Sequence, residues 1–253
     1  MPIITRVLLP PATPFLGVLM LETRFPRPVG DIGNPATFAF PVRHSVVRGA
    51  SARRVVSADE PGLLEPFVAA ARALVDEGAA AVATSCGFLV RYQAALQAAL
   101  PVPVWTSSLL LVPALQAAFG GPGRVGIVTV DARALGAAHL AAAGADPATP
   151  IEGLAPGCAF QRALLDDATA FDPADAEAAT VAAGQNLVRR HPQVEAFVLE
   201  CTNMPPYAEA LRRATGRAVH DVTTMLAERF PPVAATAAGA ANAHGAAQGE
   251  GSR

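Results

Sequence analysis

AVATSCGFL, residues 81–89, and AFVLECTNM, residues 196–204, share one design: an apolar strand, two small or polar residues, a cysteine, then the start of a helix. Each is preceded by a further apolar run, GVLML at 17–21 and VGIVTV at 125–130. Cys86 and Cys201 lie 115 positions apart, and the earlier runs, compared at Val18 and Ile127, lie 109 apart. That near-constant offset implies two similar halves, each presenting one Cys at the carboxyl end of a strand. In open α/β sheets that edge is where ligands bind.

Working outward, apolar runs of strand character at 15–21, 79–84, 102–105, 124–130, 194–199 and 218–219 alternate with helical periodicity. Leu64, Phe67, Val68, Ala71, Leu74 and Val75 recur at the spacing of one helix face, and Gly78 stands where a helix stops. Further helices are expected over 89–99, 108–119, 132–143, 160–167, 173–190, 207–214 and 222–230. Strand followed by helix, repeated, makes the fold class α/β, with mostly parallel sheets flanked by helices. Residues 22–57, rich in Pro, Gly and Arg, read as a long loop of little regular structure, suited to a lid or binding loop. From 231 onward the chain is chiefly Ala, Gly and small polar residues, and reads as a disordered tail.

Composition narrows the chemistry. Of 253 residues, 52% are hydrophobic and 16% charged, enough apolar material for a sizeable core. The net charge of −2 offers no field for nucleic acid or an anionic membrane, so neither is an expected partner. All 19 basic residues are Arg; without a Lys amine, a pyridoxal-phosphate Schiff base and a P-loop are both excluded. GGPGRVG at 120–126 precedes a strand instead of joining strand to helix, and so does not read as a phosphate loop. Three widely spaced Cys, an odd number, suggest free thiols in a reducing cytoplasm. The apolar start is interrupted by Pro10, Pro11 and Pro14 and is followed by no A-x-A site, so it does not read as a signal peptide. No stretch has the length of a membrane span. The Cys spacing fits no zinc site, and no metal is expected.

A thiol where a strand ends and a helix begins lies near free backbone N–H groups and the positive end of the helix dipole. Both lower its pKa toward neutrality, where a general acid or base works best. Two such thiols facing across a cleft can remove a proton from one face of a carbon and deliver another to the opposite face, with no cofactor. The N–H groups of Gly87, Phe88 and Thr202 are candidates to hold the enolate-like charge that builds up. Thr84, Ser85, Thr202 and Asn203 flank the two Cys with polar groups for a substrate. The alternative for each Cys is a small buried hydrophobe, and Cys158, in GLAPGCAF, fits that description better.

T-S-C-G-F at 84–88 and E-C-T-N-M at 200–204, in pseudo-repeated halves, resemble the aspartate/glutamate racemase superfamily over roughly residues 15–230. That superfamily includes amino-acid and hydantoin racemases, maleate isomerase and arylmalonate decarboxylase. The resemblance implies two pseudo-symmetric α/β domains with the active site between them, and places Cys86 and Cys201 in the two acid/base roles. Both Cys are present, unlike the decarboxylase pattern, where only the second-half Cys remains. It also implies that the final helix returns to the first domain, giving a division into 1–112 with 218–232, then 113–217, then a tail at 233–253. Three positions depart from the amino-acid racemases. Gly87-Phe88 stands for Asn-Thr, Leu21-Glu22-Thr23 for Asp-Ser-Gly, and Asn203 for His. The residues that recognise an amino acid's ammonium and carboxylate are thus partly missing.

Other candidates follow from position. Arg24 and Arg27, in the loop after the first strand, suit a substrate carboxylate, and Asn34 suits either substrate or a turn. Thr129 and Thr106 end strands at the cleft edge. His220 and Asp221 follow the last strand, His220 as an indirect proton relay and Asp221 as a helix cap. The expected function is a cytoplasmic, cofactor-independent racemase or epimerase acting on a small carboxylate, in a chain that can form homo-oligomers. The alternatives are cis–trans isomerisation with covalent Cys addition, and non-catalytic small-molecule binding on the same scaffold.

Overall fold

Strands buried on both faces need apolar side chains at every position, and the two longest runs meet that demand: β1 (Phe15–Leu21) is buried at all seven residues. The computed structural model of the protein describes residues 13–57 and 62–249; Pro10 and Pro11, and with them the reading of the amino terminus, lie outside these. After β1 come β2 (Val42–Val47), the short helix α1 (Ala52–Val56), α2 (Leu64–Asp76), β3 (Ala79–Thr84), α3 (Gln93–Ala99) and β4 (Val104–Trp105). The second half repeats the scheme: α4 (Val112–Phe119), β5 (Val125–Thr129), α5 (Ala137–Ala143), β6 (Ile151–Gly153), α6 (Ala159–Leu165), α7 (Pro173–Arg190), β7 (Ala196–Leu199), α8 (Ala208–Thr215) and β8 (Ala218–His220). A last helix, α9 (Val222–Gly249), closes the chain.

Both sheets are parallel and have the same order, β2-β1-β3-β4 and β6-β5-β7-β8. The repeat implied by the two Cys segments is therefore a repeat of whole sheets. It extends to packing detail. A Cβ at Gly17 of β1 would lie 2.9 Å from Leu74 of α2, and one at Gly126 of β5 would lie 2.3 Å from Leu187 of α7. At equivalent places the crossover helix packs against bare strand backbone, which only glycine permits. In each sheet the order of strand addition reverses between the first strand and the third, and the crevice there is where such sheets bind ligands.

The structure corrects the sequence reading in several places. Residues 22–57 are not an irregular loop, since they contain β2 and α1; β2 escaped notice because an edge strand half in solvent carries Arg43 and His44 instead of an apolar run. The short β6 was missed for the same reason. Of the helices read from periodicity, those beginning at 89 and 108 start as tight 3-10 turns, Gly87–Tyr92 and Ser108–Leu111. β8 pairs with β7, so the return to the first half falls at Asp221, not at 218. Beyond that point Val222, Met225, Leu226 and Phe230 of α9 pack on Leu16, Val18 and Trp105 of the first sheet, as the resemblance implied. The segment read as a disordered tail continues α9 to Gly249. Alanine is the best helix former, and the first turns of this stretch also pack Val233, Ala234 and Ala237 against the first-sheet core. Among the described residues no helix is long and apolar enough to cross a membrane.

Candidate active site

Cys86 lies two residues beyond β3 and Cys201 two residues beyond β7, the equivalent strands of the two sheets. Both line one cavity between the halves. Its floor is Ser85, Cys86, Gly87, Glu200, Cys201, Thr202 and Asn203, and its walls are the apolar side chains of Phe25, Val56, Phe88, Leu164 and Leu165. Phe25 and Val56 come from the segment read as a lid, so that segment supplies part of the cavity wall. Arg24 reaches across to Asp167, with its Nε 2.9 Å from Oδ2, and Arg53 of α1 pairs with Asp166. Asp167 is the described non-glycine residue with positive φ, 56°. Its backbone turns left-handed where the α6 loop meets the opposite half.

The thiols do not have the lowered pKa expected from helix starts. Burial pushes Cys86 up to about 12, reinforced by the Glu200 carboxylate, and only partly offset by the N–H groups of Phe88 and Leu89 and by Arg27. Cys201 is raised well above its ordinary value, first by burial, then by Glu200, with Cys86 and Asp31 adding to the effect. The physical reason is twofold. The turn after Cys86 is a short 3-10 segment with a weak dipole, and desolvation in a closed cavity outweighs a few N–H groups. The thiol of Cys201 donates to Asn203 Oδ1 at 3.6 Å.

Other expected residues divide between site and scaffold. Gly87, Phe88, Ser85, Thr202 and Asn203 line the cavity as expected. The Thr202 hydroxyl donates to the Ser85 main-chain oxygen at 2.6 Å, and Asn203 Nδ2 donates to Asp31 Oδ2 at 2.6 Å. Thr129 donates to Glu200 Oε2 at 2.6 Å. Thr84 lies beneath the floor and donates to the Thr106 carbonyl at 2.6 Å, a structural role. Arg27 is not offered to a substrate: buried Asp31 holds it at 3.0 Å, Thr23 accepts from it at 2.9 Å, and it lies over the Phe25 ring. Asn34 caps a 3-10 turn at Pro35–Thr37 and binds the Arg27 carbonyl, away from the cavity. His220 ends edge strand β8, and Asp221, which follows it, caps α9 through the N–H groups of Thr223 and Thr224. Cys158 caps α6, accepting from the Gln161 N–H at 3.4 Å. Glu200 and Asp31 were not singled out from the sequence. The available signal was an acidic residue ending an apolar strand directly before a Cys.

With the geometry in place, known proteins can be compared. A dimethylsulfoniopropionate lyase of Durusdinium sp. clade D is 31% identical over 81% of this chain and 70% of that protein. The chain belongs to that lyase family. Against a lyase of the same name from Emiliania huxleyi, this member of the family is 27% identical and spans 57% of that protein's length. No protein-family profile matches the chain. Among solved structures, arylmalonate decarboxylase superposes with a TM-score of 0.56 at 19% identity, covering 88% of this chain and 92% of that one. Allantoin racemase from Klebsiella pneumoniae gives 0.56 at 13% identity, covering 93% and 89%. The chain thus shares its fold with arylmalonate decarboxylase and allantoin racemase, while its relatives in sequence are named as lyases.

Proposed function

We propose that the protein is a lyase acting on a β-substituted propionate, with dimethylsulfoniopropionate the foremost candidate. It would remove the proton α to the carboxylate and expel the β-substituent. The observation that carries this reading is the thiol pair in one apolar-walled cavity, in a chain related by sequence to lyases of that substrate. A thiolate takes the α-proton, the C–H electron pair becomes the new C=C bond, and the bond from the β-carbon to sulfur breaks with its electrons leaving on sulfur. From a sulfonium the products are acrylate, neutral dimethyl sulfide and a proton held by the enzyme. No acid is needed for a leaving group that departs uncharged. Methyl groups on a cationic sulfur suit aromatic and aliphatic walls such as Phe25 and Phe88. The N–H groups of Gly87 and Thr202, residues that line the cavity, suit the enolate charge.

A second reading keeps the same first step. Because the two Cys come from opposite halves, proton return from the far face would racemise or epimerise a chiral carboxylate instead of cleaving it. One experiment addresses both. Purified protein is incubated with dimethylsulfoniopropionate in deuterated water, with gas chromatography for dimethyl sulfide; a panel of chiral amino acids, hydantoins and hydroxy acids is followed by polarimetry. Sulfide release supports the lyase, loss of rotation without release supports the racemase, and neither result removes both.

A further inference from the structure

A chain of hydrogen bonds joins Cys201, in the second half, to a buried carboxylate of the first. The Cys201 thiol donates to Asn203 Oδ1 at 3.6 Å, and Asn203 Nδ2 donates to Asp31 Oδ2 at 2.6 Å. Asp31 lies in the segment after β1 and is 1% exposed. Its other oxygen, Oδ1, accepts from Arg27 Nη1 at 3.0 Å and from the Gly33 N–H at 2.7 Å. The segment is itself fixed. Thr37 donates to the Asp31 carbonyl at 2.7 Å, and Asn34 Nδ2 donates to the Arg27 carbonyl at 2.9 Å. Arg27 lies against the bare backbone of Gly33, where a Cβ would come 2.3 Å from its Cδ. An amide has two ends of opposite character, an oxygen that accepts and an NH2 that donates. A carboxylate only accepts, so Asp31 takes the NH2 end of Asn203 and leaves the oxygen to the sulfur. A thiol has one proton, and a proton donated to Oδ1 is not offered to a substrate carbon.

We propose that Asp31 is a positioning residue that, through Asn203, holds the proton of Cys201 and biases the reaction toward elimination over proton return. The proposal rests on the reading of the two Cys as the groups that handle the α-proton. Elimination needs the proton taken from carbon to stay on the enzyme until the bond from the β-carbon to sulfur breaks. Exchange and inversion both need a thiol to give a proton back. A Cys201 S–H bonded to Asn203 must first break that bond to reach the carbon. This holds whichever thiol is the base. If Cys201 takes the α-proton, the new S–H is drawn to the amide oxygen. If Cys86 takes it, Cys201 is kept from delivering a second proton at the opposite face. Charge agrees with geometry, since Asp31 is among the groups that push the Cys201 thiol above its ordinary value and so favour its protonated form. Asp31 is not among the residues that line the cavity, and acts through Asn203, which is.

Two readouts test this, one of them without substrate. With Cys86→Ser and Cys158→Ser in place, Cys201 is the one thiol of the chain, and Raman spectroscopy reads its S–H stretch. The band is expected at the lower frequency of a hydrogen-bonded thiol. Asp31→Asn keeps an oxygen for Arg27 and Gly33 and puts an NH2 where Oδ2 was. Asn203 must then turn its oxygen to position 31 and its NH2 to the sulfur, so the band should rise to that of a free thiol. Adding Asn203→Asp restores an acceptor at the sulfur and should bring the band back; no return would mean local disorder and overturn the proposal. The second readout keeps both catalytic Cys and supplies dimethylsulfoniopropionate in deuterated water. In Asp31→Asn the ratio of α-deuterium in remaining substrate to sulfide released should rise about fivefold, the factor one hydrogen bond is worth. An unmoved band or an unchanged ratio overturns the proposal. Should Asp31→Asn not fold, Asn203→Leu decides: it removes the acceptor, leaves Arg27 on Asp31, and must move both band and ratio. Failure of the lyase reading looks different, since wild-type protein would then release no sulfide while the band still moved with Asp31→Asn.

Discussion

Thr202, in the second half, donates its hydroxyl to the main-chain oxygen of Ser85, in the first, at 2.6 Å. Each residue adjoins one of the two Cys, so this bond helps fix the separation of the thiols across the cleft. It is buried at both ends, with Thr202 1% and Ser85 3% exposed. The Ser85 hydroxyl is in turn held by the Leu21 N–H at 2.9 Å, which ties the bond to the end of β1.

Thr202→Val keeps the shape and leaves the Ser85 carbonyl buried with no partner. The expected loss of stability is about 1–3 kcal/mol, read by denaturant titration. Activity should fall by more than unfolding accounts for, because the thiols lose their spacing. A variant as active and as stable as wild type would show that this bond does not set the spacing of the thiols.

How much of this was legible in the sequence depends on which force shaped each residue. β1, β3, β5 and β7 are apolar because they are buried on both faces, and their runs could be read directly. β2 could not, since its burial is partial and Pro41 precedes a run broken by Arg43 and His44. The Cys pair was visible as an echo between halves. Arg27 was misjudged because nothing local announces that Asp31, four residues on, takes it. The thiol pKa was misjudged because dipole arguments are local and desolvation is not. Glu200 reads in sequence as one more polar residue at a strand end, and its meaning comes from Gly87 and Thr129, 113 and 71 positions away.

Gly87→Ala tests that packing. The added methyl meets two oxygens of Glu200, at 2.3 and 2.4 Å, and one of them is backbone that cannot swing aside. The expected cost is about 1–3 kcal/mol, the usual range for overpacking, with loss of activity. Adding Glu200→Ala removes the clash with Oε1 and not the one with the carbonyl, so stability should return only in part. Full recovery would mean that the backbone yields where the structure has it fixed.

The buried carboxyl also leaves a signature in stability against pH. Glu200 titrates near 4.5 when exposed and at about 7 when folded. The folded state therefore holds its proton longer, and the favourable contribution is complete below 4.5 and lost as pH rises through 7. At 1.36 kcal/mol per unit, the loss is about 3 kcal/mol. Asp131 and Asp167, held low by Arg133 and Arg24, push the other way in acid, so wild type alone would mask the slope. The difference between Glu200→Gln and wild type isolates it. That difference should shift by about 3 kcal/mol in favour of the variant between pH 4.5 and pH 8, measured by urea unfolding. A flat difference would mean that Glu200 does not titrate in this window.

Elimination and inversion place different demands on the two thiols. Elimination takes one proton from one face, so a single thiolate suffices and the other thiol only shapes the cavity. Inversion takes a proton at one face and returns another at the opposite face, so both thiols must work. Serine keeps the size of Cys but is not ionised near neutral pH, so each substitution removes one base. For a lyase, one of Cys86→Ser and Cys201→Ser should lose at least about 10²-fold in sulfide release, and the other much less. The α-carbon of dimethylsulfoniopropionate carries two hydrogens, one toward each thiol, so stereospecific deuterium labelling identifies which face is attacked. The face must agree with the more damaging substitution. Equal losses in both variants, with each still exchanging the α-proton of a different enantiomer of a chiral substrate, would instead establish two-base inversion. In that case the cavity that suits a sulfonium leaving group would belong to a racemase.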